Sequence, residues 1–295
     1  MQFNPLDYPT TFTHSAFLTD SDSWAGHIPF AYLLVELARP SVLVELGTYN
    51  GLSYGNFCEA VLISKTGTKC FAIDTWRGDA NMGQYADKVL QIFKARHDPR
   101  YGSFSTLIQS TFDDALGRFT DGSIDVLHID GCHTYEAVRH DFESWRPKLS
   151  DAAIVLFHDT AVRKEGFGVY RFWEEMSRKY PSFEFKQSNG LGVLGTGRSL
   201  PQKFMQFLED ANRDPAPVQS LFNALGEIYF GEIKIRYLLS EFAQQLLAIN
   251  EYKQRSGQAT EPLPDVRAML KDPVMHARRA TRDVISLIAE LEGKK

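Results

Sequence analysis

The chain has 295 residues, of which 43% are hydrophobic and 23% are charged, as in ordinary globular proteins. Its net charge of −5 argues against sequence-independent nucleic-acid binding, which requires a basic surface. The sequence contains no run of 18 apolar residues, so no membrane span is predicted. The N-terminus lacks the basic and apolar segments of a signal peptide. Three cysteines (Cys58, Cys70 and Cys132) without a CxxC motif predict a reduced, cytoplasmic setting.

Residues 1–24 are rich in Pro, Thr, Ser and Asp, and we expect them to form an N-terminal arm. Residues 27–38 form a predicted helix that Pro40 terminates. Short apolar runs typical of buried parallel strands then alternate with helical segments. The predicted strands are 41–47, 70–74, 105–110, 124–130 and 152–159, and the helices that follow them are 51–64, 84–96, 111–119, 134–147 and 168–180. Residues 183–187 and 191–197 are predicted to form a closing hairpin.

Five strand–helix repeats with a terminal hairpin predict an open α/β sheet with helices on both faces, over residues 25–198. Residues 199–295 are expected to form a helical C-terminal extension. Its predicted helices are 200–213, 218–253 and about 265–292, separated by Pro215 and Pro217 and by Pro262 and Pro264. These helices either pack on the first domain or pair two subunits, so a homodimer is one expectation.

The segment VELGTYNGLS marks the passage from the first strand into the first helix, where open α/β sheets bind ligands. Gly47 permits a tight turn, and Gly51 allows a ligand to approach the helix. The spacing is E-x-G-x-x-x-G, whereas dinucleotide folds use G-x-G-x-x-G. Glu45 can accept hydrogen bonds from a ligand ammonium group, which suits a cofactor with a cationic amino acid end. The alternative is an ordinary strand–turn–helix junction.

Asp74 ends the second predicted strand, where an acidic residue in nucleotide-binding folds takes the ribose hydroxyls. A turn or helix-capping aspartate is the alternative. His128 lies within the fourth strand and not at its end, and we expect it to be structural.

Asp130 ends the fourth strand, and His158 and Asp159 end the fifth, so these three residues can converge on one small cation. Two carboxylates suit Mg²⁺, and an imidazole shifts the preference towards Mn²⁺, Fe²⁺ or Zn²⁺. His133 follows Asp130 by three residues and is a candidate general base. Alternatively, Asp130 caps the helix that starts near Thr134, and His158 packs beneath the rim of the sheet.

These segments, with HIDGCHTY (128–135) and LFHDT (156–160), resemble class I S-adenosylmethionine (SAM)-dependent methyltransferases of the catechol O-methyltransferase type. They resemble more closely the methyltransferase-24 group, which includes metal-dependent O-methyltransferases acting on macrolide sugars. In those enzymes a metal-binding Asp ends strand four, a catalytic Lys or His follows three residues later, and an acidic pair lies further on. The corresponding residues are Asp130, His133, His158 and Asp159, and His158 departs from the pattern because a carboxylate usually stands there.

The resemblance implies SAM as cofactor, with Mg²⁺ or Mn²⁺ as an accompanying metal held by Asp130, His158 and Asp159. It implies a seven-stranded Rossmann-like sheet with an antiparallel last strand. It places Thr48, Tyr49 and Asn50 at the methionine end. It places Thr75 and Trp76 beside the adenosine, and Ser110, Thr111 and Phe112 near the adenine. The predicted cofactor site also includes Glu45, Gly47, Ser53, Asp74 and Asp130.

The predicted function is therefore transfer of a methyl group to a hydroxyl of a saccharide or another small molecule. Similar domains occur attached to glycosyltransferases in bacterial glycan-synthesis proteins, which favours a saccharide. A nicotinamide-dependent oxidoreductase would share the sheet, but the glycine spacing argues against it. A catalytically inactive binding or assembly subunit of a glycan-synthesis system is the second alternative.

Overall fold

A computed structural model describes residues 3–79, 83–84 and 88–255. The strands in chain order are β1 (Val42–Leu46), β2 (Lys69–Asp74), β3 (Gly78–Asp79), β4 (Gly83–Gln84), β5 (Ser105–Gln109), β6 (Ile124–Ile129), β7 (Leu149–His158), β8 (Ser182–Phe185) and β9 (Leu191–Gly195). The helices are α1 (Ile28–Ala38), α2 (Leu52–Ser64), α3 (Lys88–Tyr101), α4 (Phe112–Ala115), α5 (Tyr135–Trp145), α6 (Val169–Ser177), α7 (Gln202–Arg213) and α8 (Pro215–Arg255).

Seven strands form one sheet in the order β5-β2-β1-β6-β7-β9-β8, and β3 pairs separately with β4. Strands β5, β2, β1, β6 and β7 are parallel, whereas β9 runs antiparallel to both β7 and β8. The strand order reverses between β1 and β6, and ligands bind beyond such a switch point in open α/β sheets. The predicted fold, a seven-stranded Rossmann-like sheet with an antiparallel last strand in sequence, is confirmed.

Alternation along the strands directs side chains to helices on both faces of the sheet. On one face, Phe157 of β7 contacts Phe142 of α5 and Phe172 of α6, with ring centroids 5.7 Å apart in each pair. On the other face, His128 of β6 lies 5.7 Å from the ring of Phe57 in α2. The central strands β1 and β6 are therefore buried on both sides, which explains why their sequences are largely apolar.

The observed elements depart from the predicted ones mainly in the helices. The predicted helix 111–119 is a short α4 followed by a 3₁₀ turn, Leu116–Arg118. Pro215 and Pro217, expected to separate two helices, lie in the first turn of α8, where a missing backbone N–H leaves no hydrogen bond unmade. The helix predicted at about 265–292 lies outside the described residues.

The chain divides into two compact units, one ending at Glu227 and the other beginning at Ile228. In the first unit, α7 packs on the sheet domain, since Phe207 lies 5.7 Å from Phe30 of α1 and 6.1 Å from Phe183 of β8 between ring centroids. The predicted divisions after residues 24 and 198 stay predictions. None of the helices within the described ranges is both long and apolar enough to cross a membrane.

Candidate active site

The loop between β1 and α2 is fixed by Asp74, the last residue of β2. One oxygen of its carboxylate accepts hydrogen bonds from the backbone N–H groups of Thr48 and Tyr49, both at 2.9 Å. The other oxygen accepts from the N–H of Trp76 at 2.6 Å. Asp74 therefore shapes the loop, and it also lines the cavity beyond the strand ends.

Gly47 is required at its position for two reasons. Its φ of +88° lies in the left-handed region that favours glycine. A Cβ atom built on it would also lie 2.0 Å from the backbone oxygen of Asp130. The close approach of the loop to the end of β6 brings the β1 and β6 sides of the site together.

Glu45 does not reach the cavity, although its predicted role was to bind the cofactor. Its side chain is fully buried behind the loop, 2.7 Å from Nδ1 of His128. Burial raises the pKa of Glu45, and the hydrogen bond with His128 opposes this rise only in part. The expected structural role of His128 agrees with this contact.

Two further predicted cofactor residues also lie outside the cavity wall. The indole nitrogen of Trp76 donates a hydrogen bond to the backbone oxygen of Tyr49 at 2.8 Å, and the side chain is buried. The backbone N–H of Ser110 donates to the backbone oxygen of Asp74 at 3.0 Å. Glu45, Trp76 and Ser110 thus support the residues that line the cavity.

The ends of β6 and β7 bring together Asp130, His133 and Asp159. One potential ligand atom from each lies within 4.8 Å of the other two. Nε2 of His133 is 2.9 Å from a carboxylate oxygen of Asp159. Asp159 has a φ of 61°, an uncommon conformation for a residue other than glycine, and such strain is concentrated at functional sites.

His158 lies behind this cluster, and its imidazole ring is protonated and positively charged. Its Nδ1 lies 3.1 Å from Asp130 Oδ1, and its Nε2 lies 3.0 Å from the backbone oxygen of Ser188. A backbone oxygen can only accept, and an ionised carboxylate can only accept, so both ring nitrogens carry protons. Burial lowers the pKa of His158, but Asp130 and Asp159 outweigh burial and raise it well above its usual value.

This bonding pattern differs from the predicted metal set of Asp130, His158 and Asp159. An imidazole with both nitrogens protonated has no lone pair for a metal, so His158 does not suit the predicted role of metal ligand. The histidine that lies within 4.8 Å of both carboxylates is His133. The sequence could not distinguish these histidines, because the second partner of His158 is a backbone oxygen 30 residues later.

The charges within the cluster act on each other's pKa values. Burial raises the pKa of Asp130 and of Asp159, but His158 outweighs burial, so both carboxyl groups have pKa values below the usual value. Burial lowers the pKa of His133, but its hydrogen bond with Asp159 and the charge of Asp130 raise it above 6.5. The ring of His133 also stacks on Phe167, with 4.7 Å between centroids.

These residues border one cavity of about 820 Å³ at the carboxyl ends of the strands. It falls within the usual volume range of small-molecule sites, about 300–1,000 Å³. The predicted site residues in its wall are Gly47, Thr48, Tyr49, Asn50, Ser53, Asp74, Thr75, Thr111, Phe112, Asp130, His133, His158 and Asp159.

Sequence reasoning missed two groups of cavity residues. Ser21, Ser23 and Trp24 come from the N-terminal arm, which has no sequence pattern that indicates where it packs. The second group comprises cationic residues on the loops near β7 and β8: Arg163, Lys164 and Lys186. Arg163 and Lys164 lie three and four residues after the LFHDT segment, and their position beyond a strand end is the signal that could have revealed them.

Residues 44–160 match the model of a methyltransferase domain family. The predicted resemblance to class I methyltransferases is confirmed for that part of the chain, which contains the glycine loop and the Asp130–Asp159 cluster.

An uncharacterized protein of Sinorhizobium fredii (strain NBRC 101917 / NGR234) is 38% identical over 265 residues. The match covers 89% of this chain but only 29% of that protein's length. Among solved structures, the chain is similar to the O-methyltransferase TomG from Streptomyces achromogenes (TM-score 0.46, 15% identity, 65% of this chain and 95% of that one). It is also similar to an O-methyltransferase from Bacillus cereus (TM-score 0.45, 13% identity, 65% and 88%). With TM-scores below 0.5, neither likeness adds to what the family match shows.

Proposed function

We propose that this chain transfers the methyl group of SAM to a hydroxyl of a saccharide or another small acceptor. The observation that carries the proposal is one continuous cavity, bordered at one end by the glycine loop and Asp74 and at the other by Asp130, His133 and Asp159. A methyl donor bound at the first end would meet an acceptor bound at the second. Alignment of such reactants contributes roughly 7–11 kcal/mol in favourable cases.

The residues beyond β1, β2 and β5 would hold the cofactor. Thr48, Tyr49 and Asn50 would border its methionine end, and Thr111 and Phe112 its adenine. Asp74 already accepts three backbone hydrogen bonds, and a carboxylate has about four acceptor positions. One acceptor position of the Asp74 carboxylate therefore remains for a hydroxyl of the ribose.

Asp130 and Asp159 fit a divalent cation by the chemistry of their donor atoms, and the ring of His133 lies beside them. Their ligand atoms lie within 4.8 Å of one another, and both carboxyl groups are held ionised by His158. Two carboxylates suit a hard, oxygen-preferring cation such as Mg²⁺. When bound, such a cation would lower the pKa of the acceptor hydroxyl.

His133 would remove the proton of the acceptor hydroxyl. Asp159 orients its ring through the 2.9 Å contact, as a carboxylate orients the histidine of a catalytic triad, and Phe167 covers one face of the ring. A base must be unprotonated to act, and the pKa of His133 is raised. The rate should therefore increase as the pH rises through a value above 6.5.

The first test is calorimetric titration of the protein with S-adenosylhomocysteine, with and without Mn²⁺ or Mg²⁺. We expect micromolar binding that Asp74→Ala abolishes, because the variant loses the carboxylate that shapes the loop. Absence of binding under every condition would reject methyl transfer and favour the inactive assembly subunit.

The second test replaces the proposed base. His133→Ala should slow S-adenosylhomocysteine formation by about 10²–10⁴-fold with any accepted saccharide, since general base catalysis contributes that much. The affinity for S-adenosylhomocysteine should stay within about twofold of the wild-type value. Unchanged turnover in this variant would show that His133 is not the base.

A further inference from the structure

Three cationic side chains border the acceptor end of the cavity: Arg163, Lys164 and Lys186. The chain as a whole carries a net charge of −5, so its composition does not account for a group of cations in one wall. Lys164 and Lys186 are both exposed, so their ammonium groups can meet a ligand from solution.

Sheet order assigns these cations to the acceptor and not to the cofactor. The cofactor residues lie beyond β1, β2 and β5, whereas Arg163 and Lys164 follow β7, and Lys186 lies between β8 and β9. Strand β6, with Asp130 at its end, separates the two groups.

The two loops that carry the cations are joined by backbone contacts. The N–H of Ala161 donates a hydrogen bond to the backbone oxygen of Asn189 at 2.8 Å. A Cβ atom on Gly190 would lie 2.5 Å from the nitrogen of Ala161, so the loops are packed as closely as a glycine allows. Lys164 and Lys186 therefore lie on two loops that form one connected surface.

Neighbouring acidic groups do not neutralise the two lysines. Neither Lys164 nor Lys186 takes part in an ion pair within the part of the chain that the structure describes. Asp130 and Asp159 in the same cavity are already paired with His158 and His133. Arg163, by contrast, donates to the backbone oxygen of Thr160, lies 3.6 Å from Glu174 and covers the ring of Tyr170.

We propose that the acceptor carries an anionic group, a phosphate or a carboxylate, that Lys164 and Lys186 bind while its hydroxyl faces His133. Two exposed ammonium groups at the mouth of a cavity would attract an anion and fix one end of the acceptor. Arg163 would act by holding the loop. The inference rests on the proposed methyl transfer, and it restricts the acceptor to acidic small molecules such as sugar phosphates or sugar acids.

The test is calorimetric titration of the protein, saturated with S-adenosylhomocysteine and in EDTA, with inorganic pyrophosphate, glucuronate and glucose. Wild-type protein should bind pyrophosphate or glucuronate but not glucose, and the preferred anion identifies phosphate or carboxylate as the recognised group. The double variant Lys164→Gln/Lys186→Gln should bind that anion about tenfold more weakly, and raised salt should weaken wild-type binding.

Lys179→Gln is the matched control, because Lys179 is also exposed but does not border the cavity. The control should bind the anion as the wild type does, and the double variant should bind S-adenosylhomocysteine normally. Equal anion binding by the double variant, an equal loss in the control, or no anion binding by the wild type would overturn the inference. If S-adenosylhomocysteine itself does not bind, the methyl-transfer proposal fails, and the same anion titrations on the protein alone still report on the lysines.

Discussion

Asp141 is a buried carboxyl group beside the cofactor end of the site. One of its oxygens lies 3.3 Å from where a Cβ atom on Gly131 would stand, and the ring of Phe112 borders the same point. Burial raises the pKa of Asp141 to about 7, and the nearby Asp113 adds to this rise while His140 opposes it. In the folded state Asp141 therefore keeps its proton up to near-neutral pH.

This shift makes stability depend on pH in a definite direction. The folded state binds the proton more tightly than the unfolded state, so the free energy of unfolding falls as the pH rises from about 4 to about 7. One pKa unit corresponds to about 1.4 kcal/mol, so the cost above neutral pH is on the order of a few kcal/mol. Asp141→Asn removes the ionisation and should be more stable than wild type at pH 8, with little difference at pH 4.

Thermal or urea unfolding at several pH values measures this effect. The exposed Asp214 provides the control, and Asp214→Asn should follow the wild-type pH dependence. A difference between Asp141→Asn and wild type that does not grow with pH would contradict the assignment.

At the scale of elements, the N-terminal arm is anchored through Phe17. Its ring occupies the space that a Cβ on Gly55 of α2 would need, since that atom would lie 2.2 Å from Phe17 Cδ1. Asn56 donates a side-chain hydrogen bond to the backbone oxygen of Phe17 at 2.9 Å, and the guanidinium of Arg96 lies 4.5 Å from the centre of its ring. These contacts position the segment that ends in Ser21, Ser23 and Trp24.

Removal of the ring should therefore release the arm. Phe17→Ala should lower the free energy of unfolding by about 3–5 kcal/mol, as for other buried aromatic residues. It should also increase hydrogen exchange at residues 15–24 and weaken S-adenosylhomocysteine binding. Phe12→Ala is the control, because Phe12 is 44% exposed. If both variants exchange and bind alike, Phe17 does not anchor the arm.

The sequence predicted the sheet and the strand ends because apolar runs and their terminal residues are local features. Gly47, Asp74, Asp130 and Asp159 were placed at the sheet edge in this way, each at or directly after the end of a strand, and all four border the cavity. The role of His158 could not be predicted, because its protonation follows from contacts with Asp130 and Ser188 that only the fold creates. The burial of Glu45 could not be predicted for a related reason, since its partner His128 lies on the neighbouring strand.

At the scale of the whole molecule, the described part of the second unit exposes large apolar side chains. Ile228, Leu238 and Phe242 of α8 are 59%, 55% and 43% exposed. With 3.6 residues per turn, these three positions fall within an arc of roughly 80° around the helix. A stripe of this kind is typical of an interaction surface, and we propose that it pairs two subunits through their C-terminal helices.

We therefore expect a homodimer, with a mass twice the 33.4 kDa of one chain in light scattering. Leu238→Glu/Phe242→Glu should shift the protein to the monomer mass, because charges in the stripe would have to be desolvated in the interface. Tyr237 is 54% exposed but lies on the opposite side of α8 from Ile228, so Tyr237→Glu is the matched control and should remain dimeric. A wild-type protein that stays monomeric at high concentration would reject this use of the stripe. Dissociation by Tyr237→Glu alone would instead place the interface on the other side of the helix.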